Sequence, residues 1–179
     1  MKSLRFLLCL VVMSLATAAV AQSDAQKSFD ELKTLAGKWE GPVKVVPRMP
    51  EMETGKPTQV TMRVTSRGNA LVHEMLEAGA VDDPTKVDHP VTMLYMDEGR
   101  LLLTHYCDAG NRPRMVAKPS PDGKTVEFDF LDIAGSTKYG HMQHAVFTVI
   151  DANHHTEDWT FIMPGDKPIH AHMDLQRIR

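Results

Sequence analysis

The chain has 179 residues, of which 42% are hydrophobic and 24% are charged, so it is neither a disordered tail nor a disulfide-stabilised miniprotein. Its 20 basic residues are outnumbered by 23 acidic ones, which leaves no excess of positive charge to neutralise a phosphate backbone. Nucleic acid is therefore not an expected partner, and the length is typical of one globular domain.

The N-terminal residues have the three regions of a signal peptide. Lys2 and Arg5 supply the positive charge, residues 6–16 are apolar, and the small side chains of residues 19–21 are typical of a cleavage site. We therefore predict a signal peptide over residues 1–21 and export to the periplasm or outside the cell.

The mature protein is predicted to be a single domain over residues 22–179. The apolar run of the leader is shorter than the roughly 20 residues of a membrane span, and no later run is long enough, so no membrane anchor is expected. Cys9 would be removed with the leader, which leaves Cys107 without an intramolecular disulfide partner.

One short helix is predicted after the leader, because Phe29, Leu32 and Leu35 recur every three residues between an N-cap candidate, Ser28, and the stop residue Gly37. Downstream, apolar and polar residues alternate, and turn residues recur about every 8–12 residues, as in antiparallel sandwiches and barrels. Ten strands are predicted, at residues 38–46, 58–66, 69–78, 90–97, 100–107, 112–118, 124–130, 142–151, 154–163 and 168–178.

The predicted strands follow one another through short turns and form an up-and-down antiparallel meander. An open meander would leave two unpaired edges, so a closed barrel is favoured. The two longest breaks, residues 47–57 and 79–89, are predicted loops at a rim. Arg177 ends an otherwise apolar strand face, and we predict that its guanidinium stacks on Trp39 across a pairing of the first and last strands.

The order of these elements carries a family resemblance. A short helix, then Gly37-x-Trp39, then ten strands ending in Leu-Gln-Arg at residues 175–177, resembles the calycin superfamily of lipocalins, fatty-acid-binding proteins and lipocalin-like bacterial domains of unknown function. Residues 103–107 and 110–115 are similar to exported bacterial proteins of this lipocalin-like type. The resemblance implies an all-β, lipocalin-like barrel and no established activity. The outline is also similar to nitrobindin-type haem barrels, although no haem-ligating histidine can be matched.

Reactive side chains are concentrated where one strand ends and the next begins, at a barrel rim where ligands enter. The residues predicted to bind a ligand there are His105, Tyr106, Asn111 and Arg114. Arg114 is expected to point inward and hold a carboxylate or phosphate, and the alternative is a rim salt bridge with Asp108 or Glu74. Cys107 is interpreted as a buried thiol, because neither an orienting group nor an oxyanion site accompanies it.

A carboxylate is predicted inside the barrel. Glu157 shares a strand face with Trp159 and Phe161, so it points inward if they do, and it must then be paired or protonated. His144 on the neighbouring strand, or Arg114, is the expected partner. Glu157, Trp159 and His144 therefore complete the predicted ligand-binding residues.

The remaining histidines are interpreted as surface residues. His170 and His172 share a face with Asp174 on the solvent side of the last strand, and zinc chelation is the alternative for this row. His154 and His155 lie at a predicted turn and are expected to be solvated. No metal site, cofactor or catalytic residue is predicted.

Three functional hypotheses follow. The first is an exported protein that binds a small apolar or amphipathic molecule inside the barrel. The second is a haem- or metal-binding or enzymatic barrel that uses His105 and Glu157. The third is a filled barrel that acts through its surface as an envelope interaction module. The 12 methionines suit either adaptable core packing or the wall of a ligand cavity.

Overall fold

The computed structural model describes residues 23–50, 54–80, 83, 85–119 and 123–179. The predicted signal peptide, parts of the two predicted rim loops and residues 121–122 of a predicted turn lie outside the described residues. A helix, α1 (Asp24–Lys33), precedes the strands. The strands are β1 (Gly37–Gly41), β2 (Val43–Val46), β3 (Thr58–Thr65), β4 (Ala70–Glu77), β5 (Val91–Asp97), β6 (Arg100–Tyr106), β7 (Arg112–Pro119), β8 (Thr125–Ala134), β9 (His141–Asp151), β10 (His154–Met163) and β11 (Lys167–Ile178).

The sheet closes into an antiparallel barrel. Each strand from β3 onward pairs with the next one along the chain, and β1 pairs with both β3 and β11, which closes the cylinder. After Pro42, β2 pairs only with β11, so β1 and β2 are two halves of the single first strand that the sequence predicts. The prediction of a ten-stranded meander barrel with one short helix is confirmed.

One end of the barrel is closed by α1, which packs against β5, β6 and β7. The helix begins one turn earlier than predicted, because Ser23 and not Ser28 accepts the hydrogen bond from the backbone N–H of Gln26. Phe29 and Leu32 are buried against the inward-facing strand residues of this end. Burying each such side chain contributes about 1.5–3 kcal/mol to stability. We call this the closed end, and the opposite one the open end.

The predicted contact between Trp39 and Arg177 is confirmed at the closed end. The two residues are partners in the β1–β11 register, and the guanidinium carbon lies 4.1 Å from the centre of the indole. Trp39 donates its indole N–H to the carbonyl of Leu35 at 2.8 Å. Gly37 makes room for the arginine, since a Cβ there would lie 2.4 Å from Arg177 Nη1. Arg177 also donates hydrogen bonds to the backbone carbonyls of Thr34, Ala36 and Ala152.

In the described part of the chain, no helix combines the length and the apolar character that crossing a membrane requires.

Candidate ligand-binding cavity

The half of the barrel nearest the open end is hollow. Its cavity measures about 510 Å³, within the range of about 300–1,000 Å³ that is usual for small-molecule sites. Aromatic and aliphatic side chains, including Trp159, Phe161 and Ile169, form much of the wall. Five methionines also line it: Met49, Met75, Met142, Met163 and Met173. Methionines therefore pack in the hydrophobic core, where Met62 and Met115 lie, and also form part of the cavity wall.

A second depression, of about 540 Å³, lies outside the barrel between β2 and the residues that precede β3. It is lined by the polar or charged residues Glu40, Lys44 and Lys56, together with glycines and prolines. The wall of the cavity inside the barrel is much more apolar, so that cavity is the stronger candidate for a small-molecule site.

A buried carboxylate with three hydrogen-bond donors, that of Glu157, is hydrogen-bonded to Trp159, which lines the cavity. Glu157 accepts hydrogen bonds from Nε2 of His73 at 2.9 Å, from Nε2 of His155 at 3.0 Å and from the indole N–H of Trp159 at 2.9 Å. We call these four residues the Glu157 network. Trp159 belongs both to the hydrophobic core and to the cavity wall, so the network lies where the filled half of the barrel meets the hollow half.

The network holds its carboxylate in the ionised form. Burial by itself would raise the pKa of Glu157, but the charge of His73 and the hydrogen bonds from His155 and His73 outweigh burial and hold that pKa below its ordinary value. Glu157, His73 and His155 are all fully buried. Both histidines use Nε2 toward the carboxylate, and no described residue forms a hydrogen bond with their Nδ1 atoms. A buried charge of this kind is tolerated only when it is paired.

His105 presents a polar atom to the cavity. Its side chain is 1% exposed, lines the cavity, and packs on Trp159 with ring centres 5.6 Å apart. Burial, and secondarily the charge of His73, lower the pKa of His105 to about 3, so the ring is neutral near pH 7. Thr92 Oγ1 lies 2.8 Å from His105 Nδ1.

The hydrogen bond to Thr92 determines which nitrogen of His105 carries the proton. Thr92 is fully buried, and the His105 ring is the hydrogen-bond partner of its hydroxyl. The hydroxyl is satisfied as a donor when it donates to Nδ1, and this places the ring proton on Nε2. Within the described residues, nothing forms a hydrogen bond with His105 Nε2. The cavity therefore contains a neutral N–H donor without a protein acceptor.

The mouth of the cavity is acidic. Its charged lining residues are Glu77, Asp88 and Asp108. Lys56 pairs with Glu77 at 2.8 Å, and the backbone N–H of Asp108 donates to Asp88 Oδ1 at 3.0 Å. Burial, and then the charge of Asp108, raise the pKa of Asp88. Burial likewise raises the pKa of the half-buried Cys107 thiol, which agrees with its interpretation as an unreactive thiol.

Arg114 does not point into the barrel, so this expectation is wrong. Its side chain lies on the outer surface and pairs with Asp132, with 2.8 Å between Nε and Oδ1. Its strand neighbours Pro113 and Met115 are both buried, so the regular alternation of β7 places Arg114 on the outer face. The β-bulge next to it adds a residue to β8, Leu131, and not to β7. The alternative prediction, a salt bridge, is correct, but the partner of Arg114 is Asp132 and neither Asp108 nor Glu74.

His144 also lies on the outer surface, and its expected pairing with Glu157 is wrong. The register of β9 against β10 shifts near Thr160, so Met142 and Ala145 are both buried although they are three residues apart. His144 falls between them on the outside, where its Nδ1 lies 3.0 Å from Asp129 Oδ1. The prediction placed His144 on the inner face because it lies two residues after Met142, and the register shift between them makes that count wrong.

Tyr106 and Asn111 lie near the open end but do not line the cavity. Tyr106 is 43% exposed. Asn111 is buried, and its amide donates to the carbonyls of Ser136 and Gly140, at 2.9 and 2.7 Å, which fastens the connection between β8 and β9. Of the predicted ligand-binding residues, the structure brings together His105, Glu157 and Trp159.

Two residues of the network were missed by the sequence analysis. His155 was expected to be solvated, but it is fully buried, and only His154 faces outward, where it contacts Asp174 at 2.7 Å. The period-two alternation that places Glu157 inside also places His155 inside, so the signal was present. His73 lies two residues after buried Leu71 and therefore shares its strand face. No feature of the sequence, however, pairs His73 with Glu157 across the barrel.

The other histidines form polar contacts on the outer surface. His170 and His172 are exposed as predicted, and they contact Thr160 and Asp158. Among the described residues, Glu127, Asp129 and His144 bring three ligand atoms within 4.8 Å of one another. Lys118 already forms an ion pair with Asp129, so the group is an exposed network of charges.

No protein-family model and no curated protein matches the sequence. Among solved structures, the chain is similar to a DUF3598-family protein of unknown function from Nostoc punctiforme, with 10% identity, a TM-score of 0.51, and coverage of 82% of this chain and 49% of that one. This chain thus spans about half the length of that protein. A candidate outer membrane protein from Bacteroides fragilis, 10% identical over 83% of this chain and 99% of its own, has a TM-score of 0.19, which supports no structural argument.

The fold and the cavity define a closed antiparallel β-barrel whose interior is half filled and half hollow. The likeness to the DUF3598-family protein concerns the fold alone, and no family match confirms the resemblance to calycins.

Proposed function

We propose that this protein binds a small apolar or amphipathic molecule in the cavity at the open end of the barrel. The observation that carries the proposal is the apolar cavity of about 510 Å³, together with the unpartnered donor of His105 inside it. Export to the periplasm or beyond, through the predicted signal peptide, is part of the proposal.

The cavity wall suits an apolar ligand. Removing apolar ligand surface from water contributes about 25 cal/mol per Å² before the costs of association. Methionine side chains are flexible and polarisable, so a wall that contains five of them can adapt to the shape of the ligand. Trp159 provides a fixed surface, because the Glu157 network holds its indole N–H.

Binding is favoured over catalysis by the state of the reactive groups. The oxygens of Glu157 already accept hydrogen bonds from three donors in a fully buried position, so they are poorly placed to take a proton from a molecule in the cavity. Haem would bring two propionates to a mouth whose charged lining residues are acidic, which disfavours it. The hollow half of the interior also favours binding over a purely surface role.

The test combines native mass spectrometry with an absorbance scan of the protein purified from its host without refolding. A mass excess that disappears on denaturation supports the proposal, whereas a Soret band would replace it with haem binding. In addition, the neutral dye Nile red should bind with a blue shift in emission. Ala171→Phe, which fills the cavity, should abolish this binding, and Ala134→Phe on the exposed end of β8 should not. Equal dye binding by both variants would contradict the proposed site.

A further inference from the structure

Within the described part of the chain, two carboxylates at the mouth of the cavity form no ion pair with a lysine or arginine. Glu77 is neutralised by Lys56, but among the described residues no lysine or arginine pairs with Asp88 or Asp108. The contact between Asp88 and Asp108 is a backbone N–H donated to a carboxylate, which adds no positive charge. Burial and the charge of Asp108 disfavour ionisation of Asp88, whereas the backbone N–H and the ring of His89 favour it. A protonated amine entering the mouth would be attracted, and an anionic head group would be repelled.

His105 independently calls for a hydrogen-bond acceptor on the ligand inside the cavity. Its Nε2–H is a neutral donor on a side chain that is 1% exposed, and the described residues offer it no acceptor. Since His105 lines the cavity, only water or a ligand there can accept this proton in a hydrogen bond. An oxygen of the ligand, such as a carbonyl, ether or hydroxyl, would satisfy it. Asp108 follows His105 by three residues, so the two polar features lie within about 10 Å of each other along the lining of the cavity.

We propose that the natural ligand is an amphiphilic amine, whose protonated nitrogen lies at Asp88 and Asp108 and whose apolar body lies against the methionine wall. An oxygen of that body accepts a hydrogen bond from His105. This inference rests on the proposed function, because it specifies the ligand of the same cavity. It replaces the expected anionic head group, since Arg114 is outside the barrel and paired with Asp132.

The test is displacement of Nile red by three probes with the same chain: decylamine, decanol and decanoate. Decylamine should compete roughly tenfold more strongly than decanoate, and the difference should shrink as salt concentration rises. The double variant Asp88→Asn, Asp108→Asn should abolish the preference. The matched control is Asp97→Asn, Asp151→Asn, which removes two exposed carboxylates at the closed end and should preserve the preference.

A second comparison tests His105. An amino ketone of the same chain length, with the carbonyl at the far end from the amine, should compete several-fold more strongly than decylamine. His105→Phe should remove this advantage while keeping the preference for amine over carboxylate. His172→Phe on the outer surface is the control and should change neither comparison.

The possible outcomes distinguish an error in the ligand class from an error in the proposed function. Equal displacement by the amine, alcohol and carboxylate, or stronger displacement by the carboxylate, would overturn the amine assignment and leave apolar binding intact. Failure of Nile red and of every probe to bind the wild-type protein would overturn the proposed function and this inference with it. The wild-type comparison needs no variant, so poor folding of a variant does not prevent a decision.

Discussion

Replacing Glu157 by glutamine tests whether the buried network stabilises the barrel. Oε1 accepts hydrogen bonds from His73 and His155, and Oε2 accepts them from His73 and Trp159. In either orientation, the amide nitrogen of glutamine takes the place of an oxygen that accepts two of these bonds. The indole can only donate, whereas a histidine can move its proton to Nδ1. We therefore expect the amide nitrogen to occupy the Oε1 position and His155 to change tautomer.

The cost of this change follows from the surroundings of His155. Its Nδ1 is buried and no described residue forms a hydrogen bond with it, so a proton moved there becomes an unpaired buried donor, which costs about 1–3 kcal/mol. The charge-assisted bonds that remain become neutral and weaker. We expect Glu157→Gln to lower the free energy of unfolding by about 2–4 kcal/mol. Glu127→Gln makes the same chemical change on the outside of β8 and should change it by less than about 0.5 kcal/mol.

Urea denaturation, followed by far-UV circular dichroism and by the fluorescence of Trp39 and Trp159, measures both variants. The pKa of Glu157 lies below its ordinary value in the folded protein, so its stabilisation is present above about pH 4.5 and is lost as the pH falls further. The difference between wild type and Glu157→Gln should therefore narrow in acid. A loss of less than about 1 kcal/mol at pH 7, or one equal to that of Glu127→Gln, would refute the reasoning.

Three further predictions concern the closed end and the cavity. Arg177→Ala should lower the free energy of unfolding by about 2–4 kcal/mol, because it removes the stack on Trp39 and three hydrogen bonds. The affinity for Nile red should not change. A change in that affinity at constant stability would contradict a structural role for Arg177. Gly37→Ala should lower the thermal midpoint, because its Cβ would displace the guanidinium and its φ of +147° is strained for alanine; an unchanged midpoint would count against that close packing. The pKa of His105 is about 3 in the folded protein and about 6.5 in the unfolded chain, so the unfolded state binds the proton first as the pH falls, and stability is lost below about pH 6.5. At about 1.4 kcal/mol per unit, roughly 2 kcal/mol of this contribution should disappear by pH 5 in wild type and not in His105→Phe, measured by urea denaturation; parallel pH profiles would refute it.

Much of the architecture could be predicted from local patterns in the sequence. Alternating polarity and turn residues located the strands to within a few residues, and the edges of an open meander argued for closure. The pairing of Trp39 with Arg177 followed once the first and last strands were joined. The inward direction of Glu157 followed from its parity with Trp159, because side chains two residues apart in a regular strand share a face.

The partners inside the barrel were decided by the tertiary structure. A bulge in β9 inserts one residue between Met142 and His144 and reverses the parity of the residues that follow, which is why His144 lies outside although Met142 is buried. Arg114 lies outside because it alternates regularly with Pro113 and Met115, which are both buried. The contact between His73 and Glu157 joins β4 to β10 across the interior, and such contacts depend on the number and stagger of all strands together. The cavity at the open end also depends on the number and stagger of all the strands, because the strands enclose its volume together. No single segment of the sequence encodes it.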